Sequence, residues 1–281
     1  MDLSVILSTY NAPVWLEKVL WGFCAQTHRD FELIVADDGS TAKTKETIDR
    51  VRAETGMTIG HVWHEDRGFR KCEILNKAIV VARHAYLVFT DGDCIPRADF
   101  LAEHAARAQP GHFLTGSAIR LPMSTSEAIT REDIRTGRCF EWRWLRENGL
   151  PLTRRNMKIM ATPRWAGLLD RLPTTRANFT GGNASAHRKD ILAVNGFDHR
   201  MAWGGLDREI GVRLKNLGVR ARRIRYSAHV LHLAHARGYA DPRIAAVNRS
   251  LRKRNEKNHV VKTEHGINLL LREGNTPDGS T

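Results

Sequence analysis

The sequence predicts an α/β fold with a mostly parallel central sheet flanked by helices. Two observations carry this. Short apolar runs alternate with amphipathic stretches from the start to about residue 93, and each run ends abruptly in small polar or acidic residues. Strand, helix, strand, repeated in that way, implies right-handed crossovers between parallel strands. In order, "LSVILST" reads as a strand, residues 13–26 as a helix, "FELIVADD" as a strand and 42–54 as a helix. "IGHVWHE" is the third strand, 71–84 the third helix, and "YLVF" a buried fourth strand that runs into "TDGDCIP". The chain has 281 residues, enough for one large domain or two small ones.

Ligands of such sheets bind at the carboxyl ends of the strands. "STYN" at 8–11, "ADDGS" at 36–40, "EDRGF" at 65–69 and "DGD" at 91–93 each follow a strand, so they are expected to converge on one rim. Asp91 and Asp93 are one residue apart and repel each other unless a cation or donor lies between them, which points to a metal. Residues 120–173 are rich in Arg and Trp, with a helix expected near 127–147 and Pro-marked loops after it. Order resumes over 178–218, read as a strand, a Gly pair, a helix, a Gly-rich turn and a helix. That last helix is opened by Asp207 and carries Ile210, Val212, Leu214 and Leu217. A strand near 219–226, "HVLHLAH" at 229–235 and a basic helical tail complete the chain.

Hydrophobic content of 42% and charged content of 27% are globular values, and no apolar run is long enough to span a bilayer. The start "MDLSVILSTYNAP" lacks a basic n-region and a small-residue cleavage site, so a cytoplasmic location is expected. Cys24, Cys72, Cys94 and Cys139 are scattered and fit reduced thiols. Asn-x-Ser/Thr matches at Asn178, Asn183 and Asn248 matter only in a secreted chain and are set aside. The formal net charge of +13 points to an anionic partner: nucleic acid, an acidic membrane surface or a phosphorylated substrate. Trp142, Trp144 and Trp165, among the basic residues, suit either base stacking or a membrane interface.

Taken together, "STYN", "ADDGS", "GFRKCEILNKAI", "DGDCIP" and "FTGGNASAHRKDILAVNGFDHRMAWGGLDREIGVRL" resemble the inverting, nucleotide-sugar-dependent glycosyltransferases of family 2, with their GT-A, Rossmann-like fold. The carboxyl-terminal part resembles the galactosyltransferase-type region shared with bacterial chondroitin polymerases and β-1,4-galactosyltransferases. The resemblance spans roughly residues 3–237 and implies a donor half over 1–119, an acceptor-binding and catalytic half over 120–240, and a basic tail over 241–281.

The resemblance also assigns roles. Thr9, Tyr10, Asn11 and Asp38, with Asp37 beside them, line the nucleobase and ribose pocket. Tyr10 offers a stacking face and a carboxylate accepts an imide N–H, as a pyrimidine requires. Arg67, Arg70 and Lys71 fall where basic residues approach the diphosphate. In "DGD", Asp93 binds the metal, Asp91 contacts the ribose or a metal-bound water, and Gly92 lies between them. The metal is Mn²⁺ or Mg²⁺. His235, then His232, is the candidate added ligand, and imidazole favours Mn²⁺. Gly181, Gly182 and Asn183, with Trp203, Gly204 and Gly205, face the acceptor. Asp207 is the candidate general base, and Leu206 stands where relatives carry glutamate.

The implied function is transfer of a hexosyl or N-acetylhexosaminyl unit from a UDP-sugar to an acceptor hydroxyl, in bacterial surface polysaccharide or lipopolysaccharide synthesis. The acceptor is a saccharide or glycolipid, and the basic tail is the expected contact with an anionic membrane. Two rivals are an inactive sugar-nucleotide-binding relative, prompted by Leu206, and a nucleic-acid-binding protein, prompted by charge. No nucleic acid is expected, because acids at the strand ends would repel phosphates.

Overall fold

Each of the first four apolar runs forms a strand in the computed structural model, which describes residues 1–172, 177–236 and 241–272. They are β1 (Leu3–Thr9), β2 (Phe31–Asp37), β3 (Ile59–Trp63) and β4 (Tyr86–Asp91). There follow β5 (Cys94–Pro96), β6 (His112–Thr115), β7 (Ser117–Arg120), β8 (Ala184–His187), β9 (Arg220–Arg223) and β10 (His229–His232). Seven strands make one sheet in the order β3-β2-β1-β4-β8-β6-β9. All run the same way except β8, which is antiparallel to both neighbours.

Both faces of this sheet are covered, which is why β1 and β4 read as unbroken apolar runs rather than half-polar alternations. Leu3, Val5 and Leu7 of β1 join the core on one face, with Leu16, Val19 and Phe23 of the helix Pro13–Cys24. Ile6 points to the other face, against Ile74, Ala78 and Ile79 of the helix Lys71–Val81. Register aligns the strand ends: Ser8 pairs with Asp91, and Thr9 with Asp37. The turns after β1, β2 and β4 therefore open on one rim.

β5, β10 and β7 form a second sheet in that order. Its function is positional. β10 runs antiparallel to β5 with His232 opposite Cys94, and the Leu233 amide donates to the Asp93 carbonyl at 2.8 Å. "HVLHLAH" is thereby laid alongside "DGDCIP".

Several expectations are corrected. The helix expected near 127–147 is broken into Met123–Ala128, Arg131–Thr136, the 3-10 turn Arg138–Phe140 and Trp142–Glu147. Thr130 starts one piece with a reciprocal capping box to Asp133, and Gly137 ends it in the left-handed region. The strand expected before the Gly pair at 181–182 follows it instead, as β8. On the helix Leu206–Asn216 the buried face is Leu206, Ile210 and Leu214, while Leu217 is exposed beyond its end.

The basic tail is not free. Its helix Pro242–Lys257 packs on Leu206–Asn216, with Asn248 and Asn255 buried at the contact. Ile267 and Leu270 of the helix Ile267–Arg272 are buried as well, and Ile267 joins the core beside Ile74. Residues 273–281 of the expected tail, and 237–240 just before it, lie outside the described residues. Strands from both sides of residue 120 share one sheet, so the two expected halves have a common core.

Candidate active site

A cleft of about 1370 Å³ lies along the rim, floored by the ends of β1, β4 and β6 and walled by residues from 177–183, 203–208 and the helix Pro242–Lys257. At one end, Asp91 accepts hydrogen bonds from Ser8 Oγ at 2.8 Å and Lys71 Nζ at 2.6 Å. Burial disfavours charge on Lys71, but Asp91, Asp207 and Asp93 around it outweigh that and hold the ammonium well above its ordinary pKa. A fixed cation thus sits among three carboxylates.

The Gly181–Gly182 turn explains how they come so close. A Cβ on Gly181 would fall 2.6 Å from Asp207 Oδ1, and one on Gly182 would fall 3.1 Å from Asp91 Oδ2. Only glycine lets the backbone pass between the two acids. Phe179 holds this turn down: it is fully buried, edge-on to Phe89 of β4 at 5.5 Å and 5.6 Å from Phe113 of β6. Such ring pairs contribute about 0.5–1.5 kcal/mol each beyond burial.

Asp207 lies in the first turn of Leu206–Asn216, where the helix dipole favours a carboxylate. Its Oδ1 is buried and has no hydrogen-bond partner among the described residues. Burial pushes the Asp207 carboxyl up; Lys71 works against this and Asp91 adds to it. A half-buried acid that lines the cleft and keeps unused hydrogen-bonding capacity is suited to accept a proton. Leu206 next to it is buried in the core, so the position where the resemblance leads one to expect glutamate is here a packing residue.

Asp93 meets the histidines as the sequence suggested. His235 Nε2 lies 3.0 Å and His232 Nε2 3.7 Å from Asp93 Oδ2, with the two rings stacked at 5.4 Å. Asp93, Cys94 and His232 also offer ligand atoms within 4.8 Å of one another. This oxygen and imidazole set fits a borderline divalent ion such as Mn²⁺.

The other expected residues divide. Thr9, Tyr10, Asn11, Asp38 and Gly92 line the cleft. Thr9 Oγ1 is buried without a partner, and Tyr10 is 49% exposed with its hydroxyl on Asp66. Asp38 is partly committed: it accepts from His64 Nε2 at 2.8 Å and the Arg70 amide at 3.1 Å. A carboxylate has further lone pairs, so one more donor can be accepted.

Asp37 does not reach the cleft, because its oxygens are taken by the Ser40 amide and His61. Arg67 pairs with Glu65 on the surface, and Arg70 turns to Glu73 and the Glu65 carbonyl. Of the three basic candidates only Lys71 lines the cleft. Trp203, Gly204 and Gly205 line it too, both glycines at positive φ. Asn183 borders the cleft, but its side chain is buried and used on the Ser117 and Ala228 carbonyls and His104.

Some contributors carried no readable signal. Asn248, noticed only as a glycosylation-type match, donates to the Ala202, Trp203 and Gly204 carbonyls and fixes the "WGG" turn. Glu209 and Arg213 form a fully buried pair, closed by Asn255 and the Val194 and Gly196 carbonyls. His64, set between Asp38 and Glu73, keeps a raised pKa: burial opposes it, but both carboxylates outweigh that. His64 lies in the loop after β3 and Glu73 in the helix Lys71–Val81, so spacing gives no clue.

Comparison with known proteins bears on the family and the fold. Residues 4–170 match Glycosyl transferase family 2, and 171–236 match the "N-terminal domain of galactosyltransferase". Validoxylamine A glucosyltransferase of Streptomyces hygroscopicus subsp. jinggangensis is 28% identical, over 77% of this chain and 52% of its own length. Chondroitin synthase of Escherichia coli is 25% identical over 77% of this chain and 32% of its own. The chain therefore spans about half the length of these relatives, or less. Among solved structures, the mannosyltransferase PcManGT from Pyrobaculum calidifontis, in complex with GDP-Man and Mn²⁺, superposes with TM-score 0.56 at 21% identity, covering 85% of this chain and 58% of its own. S. aureus TarS 1–349 in complex with UDP-GlcNAc gives 0.58 at 14% identity, covering 93% and 70%. These are GT-A glycosyltransferase structures, and the mostly parallel sheet here has their fold. With the family match covering more than half of the sequence, the chain belongs to glycosyl transferase family 2.

Proposed function

We propose that this protein is an inverting, metal-assisted glycosyltransferase that moves a hexosyl or N-acetylhexosaminyl unit from a UDP-sugar to an acceptor hydroxyl. The observation that carries the reading is the convergence of Asp91, Asp93 and Asp207 on Lys71 and the Gly181–Gly182 turn. The nucleobase and ribose lie toward Thr9, Tyr10, Asn11 and Asp38. Asp93, His235 and His232 hold the divalent ion, which when bound neutralises charge on the departing diphosphate. Lys71 adds a fixed positive charge there. Asp207 takes the acceptor proton as the hydroxyl oxygen bonds to the anomeric carbon. The bond from that carbon to the diphosphate oxygen breaks, and its electrons leave with UDP. Attack opposite the leaving group inverts the centre. Gly181, Gly182, Trp203, Gly204 and Gly205 border the acceptor, and Asn183 acts behind them by holding their turn.

Relatives named for glucosyl transfer and for chondroitin synthesis support sugar transfer. The UDP-GlcNAc complex of a similar fold supports a UDP donor, and the Mn²⁺ complex supports a divalent ion. A role in bacterial surface polysaccharide or lipopolysaccharide synthesis, at the cytoplasmic side, fits the same set.

The test is the thermal midpoint with UDP, with and without Mn²⁺ and with a chelator. A ligand binding only the native state at a hundredfold excess over Kd adds about 2.7 kcal/mol. A metal-dependent rise with UDP is expected. No shift at millimolar UDP, with a rise on GDP instead, overturns the UDP donor.

Peripheral contact with an anionic membrane is part of this proposal, but its location moves. Leu152, Met157, Met160, Trp165, Leu168 and Leu172 are exposed within one segment that also carries Arg154, Arg155 and Arg171. Apolar side chains amid arginines suit an anionic lipid surface. Cosedimentation with phosphatidylglycerol vesicles at low salt is expected to exceed that with phosphatidylcholine, and to fall in Trp165→Ser/Leu168→Ser. Equal binding to both vesicles removes the membrane from the proposal.

A further inference from the structure

The two ends of the cleft differ in charge. Among the described residues, the acids that line it are Asp38, Asp91, Asp93 and Asp207. All belong to the end described above. The far end is lined by Arg155, Lys158, Arg223 and Arg225, with no lining carboxylate among the described residues; Arg120 lies opposite His232 on the neighbouring strand, at the acidic end.

Sheet order separates the ends. Arg223 closes β9, three strands from the β4 that carries Asp91, and the two strands run in the same direction. At about 4.8 Å per strand that is roughly 14 Å, beyond the reach of a metal-bound diphosphate at Asp93. The cations are brought there by different elements. Thr115 of β6 pairs with Arg223, and Arg225 follows two residues later. The 3-10 turn Asn156–Met160 lays Lys158 over the Tyr226 ring at 5.9 Å, and Arg155 reaches the Ala118 carbonyl.

Two features show that this end is short of negative charge. One guanidinium nitrogen of Arg223 is buried with no hydrogen-bond partner among the described residues, an arrangement that costs stability unless a ligand completes it. Lys158 is pushed down to about 8, by burial first and then by Arg225 and Arg155. The nearby Asp170 accepts from the Tyr226 amide and Ser227 Oγ and lines a second, smaller cavity that Arg223 and Ala177 also border.

We infer that the far end of the cleft, built by Arg155, Lys158, Arg223 and Arg225, is an oxyanion subsite that selects an acceptor bearing a phosphate or carboxylate. This rests on the glycosyltransferase reading and names its acceptor class. Guanidinium forks match planar or tetrahedral oxyanions bidentately, whereas a neutral sugar would offer the half-buried Lys158 and Arg223 no counter-charge.

The test is calorimetric titration of the full chain with UDP and Mg²⁺ in excess, so that the donor end is filled. The probes are inorganic phosphate, methyl β-D-glucuronide and the neutral methyl β-D-glucoside. At least one oxyanion is expected to bind at least tenfold more tightly than the neutral glycoside, and which one does so separates phosphate from carboxylate. Lys158→Gln/Arg225→Gln should lower that affinity at least tenfold while changing UDP affinity less than twofold. Arg155→Gln, on the exposed side, is the second variant if the double variant does not fold. Absence of oxyanion binding to the UDP-loaded protein, or equal binding by the variants, overturns the subsite. If UDP itself fails to bind, the donor reading falls instead, and phosphate titration of the nucleotide-free wild type against the variants still decides the subsite.

Discussion

Asp207→Asn is expected to cut turnover roughly 10²- to 10⁴-fold, the usual worth of a positioned general base, while UDP affinity stays within about twofold, since no donor-binding contact of Asp207 is invoked. Stability should move the other way. The folded pKa of Asp207 is raised above its unfolded value, by burial first, with Lys71 opposing and Asp91 reinforcing. In the window between the unfolded and folded pKa values the native state therefore holds a proton that the unfolded chain has released. Stability falls as pH rises through that window, and the cost is fully present above the folded pKa. At neutral pH the neutral amide removes this cost, so the thermal midpoint of Asp207→Asn should equal or exceed that of wild type.

The same shift fixes the acid limb of the pH profile. A protonated Asp207 cannot accept a proton, so kcat/KM in wild type should fall on acidification at a pH above that at which an unperturbed aspartate titrates. The residual activity of Asp207→Asn should lack that limb. An inactive relative predicts no turnover in either protein, and a merely helix-capping Asp207 predicts a stability loss on substitution. Lower stability with unchanged turnover would remove Asp207 from the mechanism.

How far the sequence could be read follows from where each signal resides. β1 to β4 and their crossovers were legible because the pattern is local: both sheet faces are buried, and each strand stops at a turn rich in Gly, Asp or Asn. The convergence of "STYN", "ADDGS" and "DGD" followed from parallel topology. Which acid of "ADDGS" faces the cleft did not, since Asp37 and Asp38 differ by one residue and lie on opposite sides of a turn. The Ser40 amide and His61 claim one; the other remains at the cleft. Arg67 and Arg70 illustrate the same limit, because local carboxylates at Glu65 and Glu73 capture them before any ligand could.

Capping chemistry defeated the long helix at 127–147, where Thr130 and Asp133 start a new turn that composition does not reveal. Glu209 and Arg213 mislead in another way. Their i,i+4 spacing reads as a solvated pair, yet both are fully buried, with the guanidinium also spent on two carbonyls. The cationic far end was present in the sequence only as net charge. Arg155 and Arg223 are 68 residues apart in numbering, and tertiary structure alone makes them neighbours of one cavity.

Asp93→Asn is expected to abolish the Mn²⁺-dependent part of UDP stabilisation while leaving a metal-independent remainder. The carboxylate is the one anionic ligand in the group formed with His235, His232 and Cys94, and Mn²⁺ and Mg²⁺ bind oxygen ligands in preference to a thiol. At a fixed UDP concentration that gives about 2.7 kcal/mol in wild type, a hundredfold loss of affinity would leave only about 0.4 kcal/mol by the same relation. Chelator should then have no further effect on the variant. The two histidines separate by distance. His235, at 3.0 Å from Asp93 Oδ2 against 3.7 Å for His232, is the closer partner, and His235→Ala should remove more of the Mn²⁺ increment than His232→Ala. Cys94→Ser should leave it nearly intact, because the thiol here donates to Asp93 Oδ1 and lies behind the carboxylate. Turnover with Mn²⁺ should fall in the same order as the thermal increment if the ion acts on the departing diphosphate. A His235→Ala protein that keeps the full Mn²⁺ increment, with Asp93→Asn losing it, would leave Asp93 as ligand and strike the histidine. An Asp93→Asn protein with an undiminished increment would take the ion away from this rim altogether.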